Sequence, residues 1–266
     1  MMPDDPPDQS DQLAVTDKLA RLRRFTSARI ALGRAGSGQL TATGLRFMLD
    51  HARARDAVHA TLDFDSIGQS LRERDWSVVH VRSAAADRAE YLRRPDLGRR
   101  LSPSGHLVIV GQPCCYDIAI VAADGLSTSA IAINLLPLLD HLRPLLLAQS
   151  LAIGPLVLAE QGRVAIGDEI GELLGAKLVV VLIGERPGLS AADSLGAYIT
   201  WRPRIGMMDS SRNCVSNIRP AGLSPEDAAM QIVSVIELAF KHAVTGVQLN
   251  DLRGADPIRA VNFDTK

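Results

Sequence analysis

Apolar positions change their rhythm part-way along this chain of 266 residues. In the first hundred or so they recur every three or four residues, the period of a helix with one buried face. Thr16–Thr26 carries Leu19, Leu22 and Phe25 at that spacing behind Thr16, a candidate N-cap, and Thr41–Arg55 carries Leu45, Met48 and Leu49. Between them Ala28–Leu32 is a short apolar run, of strand type, that enters the Gly-rich loop Gly33–Gly38. An Arg-rich stretch with helical spacing continues to about Arg94, and Pro95–Gly98 predicts a turn.

From about residue 105 short apolar runs alternate with helical segments. The runs Leu107–Val110, Asp117–Ala122, Pro155–Leu158, Leu178–Ile183 and Ala197–Trp201 have strand length and are bounded by Gly, Pro or Asp. Helices are expected at Ser129–Ala148 despite Pro137 and Pro144, at Asp168–Leu174 up to Gly175, and at Ser224–Ala243, where Ser224 is the N-cap. Strands apolar on both faces, alternating with helices, predict an α/β fold: a doubly wound, mainly parallel sheet with an N-terminal helical region. The expected organisation is an acidic disordered tail over 1–16, a mainly helical region over 17–104, the α/β domain over 105–250 and a C-terminal tail over 251–266.

Composition narrows the class without naming an activity. With 47% hydrophobic and 22% charged residues the chain is of ordinary globular type. Its 29 basic and 30 acidic residues balance, and aromatics make up only 4%, so neither the basic excess nor the stacking platforms of a nucleic-acid binder are present. The first 16 residues hold four Asp and three Pro and lack the apolar core of a secretory signal. The longest uncharged stretch, Pro144–Ala159, is interrupted by polar residues and falls short of the ~20 apolar residues a bilayer requires, so no membrane span is expected. Three cysteines, Cys114 and Cys115 adjacent and Cys214 distant, show neither a disulfide framework nor zinc spacing, and the chain reads as cytoplasmic.

Ligands of open α/β sheets bind outside the carboxyl ends of the strands. Three loops therefore carry the candidate chemistry: Asp124–Thr128, Glu160–Val164 and Gly184–Leu189. Read from the residues alone, ordinary turn chemistry stays open beside a shared binding edge. The Gly33–Gly38 loop has the spacing G-x-x-G-x-G, which is neither the dinucleotide fingerprint nor a P-loop. A stand-alone nucleotide- or NAD-binding protein remains the alternative reading. No histidine pair has metal spacing, no Ser lies in a G-x-S-x-G elbow, and no metal ligand is expected.

The segments Ala28–Gly36, Arg94–Leu101, Asp124–Ala130, Gly162–Ala176, Gly184–Leu189 and Arg212–Ile218, in that order, resemble the small (light) subunit of ethanolamine ammonia-lyase. The resemblance runs from about residue 25 to 250. It implies a subunit of an adenosylcobalamin-dependent lyase that turns ethanolamine into acetaldehyde and ammonia by radical chemistry. The large subunit of that family holds substrate in a barrel, and the small subunit closes the other side of the cobalamin at their interface. Carried over by motif, Val164, Glu185 and Cys214 are the implied cofactor contacts, with no catalytic residue on this chain and no activity without the large subunit. No His stands two residues after an Asp, as in proteins that replace the lower base of cobalamin, so the cofactor is expected to keep its own. In the family a longer N-terminal extension accompanies packaging in a bacterial microcompartment; here a short acidic tail stands in its place.

Overall fold

The computed structural model describes residues 37–255, with Leu22, Phe25, 28–30 and 32–33 ahead of them. The expected acidic tail, the helix Thr16–Thr26 and the end of the chain after Ala255 lie outside the described residues, and the glycine loop is described only at Gly33, Ser37 and Gly38. The chain forms two compact units: one ends at Asp56 and includes Gly188–Ala191, and the other comprises Ala57–Pro187 and the chain from Ala192 onward. Helix α1 (Thr41–His59) begins in the first unit, where Arg29 pairs with Asp50 at 2.8 Å and lies over the Phe47 ring at 5.0 Å. Leu45, Phe47, Met48 and Leu49 on this helix are exposed.

In the second unit α2 (Phe64–Arg72) is capped by Asp63, whose carboxylate accepts from the Ser66 amide at 2.9 Å. It leads into β1 (Val78–Arg82), followed by α3 (Arg88–Arg93) and α4 (Pro103–Val110). The elements then alternate: β2 (Ile118–Ala123), α5 (Thr128–Ala148), β3 (Ile153–Glu160), α6 (Ile166–Leu173), β4 (Leu178–Gly184). Two antiparallel strands, β5 (Leu195–Trp201) and β6 (Arg212–Ile218), precede α7 (Pro225–His242) and α8 (Val247–Ala255), the last reaching into the region expected to be tail.

The strands form one six-stranded sheet in the order β1-β3-β2-β4-β5-β6. Pairing is parallel from β1 to β4 and antiparallel at β4–β5 and β5–β6. Both faces of the central parallel strands are covered. Alternate residues Ile118, Ile120, Ala122, Leu178, Val180 and Leu182 pack with α5 and α7, while Ala119, Val121, Val179 and Val181 pack with α4 and α6. Helix α5 is long and apolar enough to cross a membrane by composition, yet Leu135, Leu138, Leu139, Leu142 and Leu146 are fully buried in the core. Because α5 and α6 leave the adjacent strands β2 and β3 for opposite faces, their loops part at the carboxyl edge between those strands.

Four elements differ from the sequence expectation: of the strand-type run expected at Ala28–Leu32, residues 28–30 and 32 lie in no strand, and three further differences fall in the second unit. Leu107–Val110 is not a strand but the last turn of α4. Ser102 caps that helix, accepting from Gly105 at 3.1 Å, and Pro103 occupies its first position. A four-residue apolar run fits either state, and the cap decides it. Val78–Arg82, expected to be helical, is the edge strand β1, and Arg212–Ile218, expected only as a motif, is the edge strand β6. Both edge strands mix polar with apolar residues and so lack the continuous apolar signal of the central ones.

Candidate functional site at the carboxyl edge

The motif segments from Arg94 onward, scattered along the sequence, interlock at one end of the sheet. The Arg163 amide donates to the Gly98 carbonyl at 2.7 Å. The Glu169 carboxylate accepts from Arg100 Nε at 2.9 Å and from the Leu101 amide at 3.0 Å. Burial opposes its charge, but those donors, with His106, hold the Glu169 carboxyl below the usual range. Beyond β2 and β4 the loops touch, the Leu126 amide donating to Gly184 O at 3.0 Å. Gly125 makes this approach possible: its φ is +59°, and a Cβ there would stand 2.2 Å from Gly184 O.

At the centre of the edge lies Asp124, buried at the end of β2. Burial pushes its carboxyl up to about 6 despite Arg88 at 3.3 Å and the amides of Gln161, Gly162 and Gly125. Arg88 also donates to Gly125 O and Val58 O, both at 2.8 Å. Arg88 and Arg163 lie over the ring of buried Tyr91, at 4.7 and 4.3 Å, and Tyr91 Oη donates to Gly162 O at 3.2 Å. The loop that carries Val164 is thus fixed from below.

Glu185 follows β4 and is half-buried. Its Oε2 accepts from Ser194 Oγ at 2.5 Å and from the Asn217 amide at 3.3 Å, so the carboxylate bridges the start of β5 and the end of β6. Its Oε1 lies above Gly196, where a Cβ would come within 2.9 Å of it. Next to it Tyr198 faces Cys214 across the β5–β6 pair, and their side chains share a hydrogen bond. Desolvation and the nearby Glu185 carboxylate hold the Cys214 thiol above its ordinary value. Val164 is half-buried and packs, as Tyr198 does, on the cluster beneath α4 and α6.

The structure therefore brings Glu185 and Cys214 together around Tyr198, while Val164 enters the same cluster from the loop after β3. Sequence reasoning missed Tyr198, Ser194 and the pair Asp168–Arg212. Arg212 grips both Asp168 oxygens at 2.6 and 2.7 Å, and also donates to Thr200 Oγ1 at 3.0 Å and Met207 O at 3.1 Å. The pair is buried; it ties the first turn of α6, just after Val164, to β6 two residues before Cys214. Strand alternation was the available signal for Tyr198: Leu195, Ala197 and Ile199 are fully buried against α7, which sends Gly196 and Tyr198 to the opposite face.

On that opposite face α6 packs on β2 and β4, whereas Cys214 and Ser216 of β6 are exposed and Tyr198 is half-buried. The result is a surface with an aromatic ring, a soft thiol and a carboxylate acceptor. It can hold a broad ligand with peripheral hydrogen-bond donors. None of the histidines lies on it; His80, for example, pairs with Glu160 at 2.9 Å on the first strands of the sheet.

Comparison with known proteins adds the remaining finding. Residues 16–250 match the family model described as ethanolamine ammonia-lyase light chain (EutC). The ethanolamine ammonia-lyase small subunit of Azotobacter vinelandii is 50% identical over 235 residues, covering 87% of each chain. The small subunit from Bradyrhizobium diazoefficiens is 51% identical over 86% of this chain and 89% of its own, and that of Xanthomonas campestris pv. campestris is 48% identical over 88% of each.

Proposed function

The chain belongs to the ethanolamine ammonia-lyase light-chain family, and on that premise we propose that it forms one wall of an adenosylcobalamin site completed by a large catalytic subunit. The observation that carries this reading is the β5–β6 face, which no helix among the described residues covers and where Glu185, Tyr198 and Cys214 meet; Val164 packs on the same hydrophobic cluster as Tyr198. The donor set fits the cofactor. An aromatic ring and a soft thiol suit a macrocycle, and a preoriented carboxylate suits the amide and hydroxyl donors at its rim. When bound, adenosylcobalamin supplies a cobalt–carbon bond whose cleavage begins the radical conversion of ethanolamine into acetaldehyde and ammonia.

This chain's residues bind and exclude water. Val164 supplies apolar contact, Glu185 accepts hydrogen bonds through the oxygen not held by Ser194, and Cys214 supplies a soft contact at the β6 edge. On this reading the large subunit closes the β5–β6 face, which is open among the described residues, and the subunit is inactive by itself. Mixing purified chain with purified large subunit tests this reading. Acetaldehyde should form from ethanolamine in the mixture with adenosylcobalamin and fall to background when either chain is omitted; turnover by this chain alone would overturn it.

A further inference from the structure

Outside that edge, at the opposite end of β2, lies a pair of nucleophiles the proposed function does not use. Cys114 and Cys115 follow α4 and precede β2, both are exposed, and their Sγ atoms stand 3.0 Å apart. The backbone holds this arrangement. Cys115 has a φ of +75°, its amide donates to Leu174 O at 2.9 Å at the end of α6, and the Lys177 amide donates to Tyr116 O at 3.1 Å. A Cβ on Gly175 would stand 3.2 Å from Cys115 N, so the dipeptide lies tightly against the chain beneath it. The two thiols therefore face solvent and each other at once. Cys214, by contrast, has Tyr198 as its neighbour and no second thiol.

We propose that Cys114–Cys115 is a dithiol modification site that takes low-molecular-weight disulfides and closes to a vicinal disulfide. In the first step the thiolate of one cysteine attacks one sulfur of the disulfide R–S–S–R; that bond breaks and RS⁻ leaves, taking up a proton. In the second, the other cysteine gives up its proton and attacks the protein sulfur of the mixed disulfide, displacing the second RS⁻. Two cysteines are oxidised by two electrons, and the external disulfide is reduced to two thiols. The contact with Cys114 raises the Cys115 thiol above its ordinary value. No cis peptide bond occurs among the described residues. Across a trans peptide the Cα atoms are about 3.8 Å apart, below the ~4.4–6.8 Å of ordinary disulfides. The closed ring is therefore strained and readily reduced.

The test uses the full chain and oxidised glutathione, followed by alkylation and mass measurement of the peptide containing both residues. The expected result is loss of two hydrogens with neither alkyl group nor glutathione, reversed by dithiothreitol, and glutathione held at Cys114 in Cys115→Ser. Alkylation of both cysteines, or glutathione adducts that persist on the unsubstituted pair, would overturn the proposal.

Discussion

Glu185 and Asp124 are carboxylates at neighbouring strand ends with opposite circumstances. Glu185 is half-buried, and two donors orient one of its oxygens, leaving Oε1 above Gly196. Asp124 is buried, and its carboxyl titrates near 6 instead of the ~3.9 of an unfolded chain. The folded state thus binds more protons than the unfolded state between roughly pH 4 and 6, and stability falls as pH rises through that window. About two pH units correspond to about 3 kcal/mol, present in full below pH 4 and absent above pH 6. Asp124→Asn keeps the shape and removes the titration. Chemical denaturation across that range should show that the variant has lost this component of the pH dependence; an unchanged slope would assign it to other groups. Neither role was legible in the sequence beyond the position of each residue after a strand, because the burial of Asp124 depends on chain segments distant in sequence and Ser194 meets Glu185 only once β5 folds back on β4.

At the scale of elements, the central strands β2, β3 and β4 were legible because a strand buried on both faces is written as a continuous apolar run. The edge strands were not. Val78–Arg82 carries His80 and Arg82, and Arg212–Ile218 carries Arg212, Asn213, Ser216 and Asn217. The second of these matters most, since it holds Cys214 and is fastened to α6 by Arg212–Asp168. Removing one partner from a buried ion pair strands the other charge and costs about 3–5 kcal/mol. Asp168→Ala should lower the stability of the chain by about that amount, while the double substitution Asp168→Leu with Arg212→Met recovers most of it. Urea denaturation measures both; a single variant within about 1 kcal/mol of the parent would show that the pair does not fasten α6 to β6.

At the scale of the whole molecule, the mainly parallel sheet was legible from alternation, and the resemblance to the light-chain family from motifs of which those from Arg94 onward are gathered by the fold on one edge. The Tyr198 surface was not, since it is the face that no helix among the described residues covers. An open surface with a bridged carboxylate is the shape of one half of a site. The most direct measurement is the affinity of the assembled two-subunit complex for adenosylcobalamin, with this chain carrying either Glu185 or Glu185→Ala. A lost charged hydrogen bond of about 1.5–3 kcal/mol predicts a rise in Kd of about 10–150-fold in a complex that still assembles. An unchanged Kd in a complex that assembles normally would contradict the assignment of this edge to the cofactor.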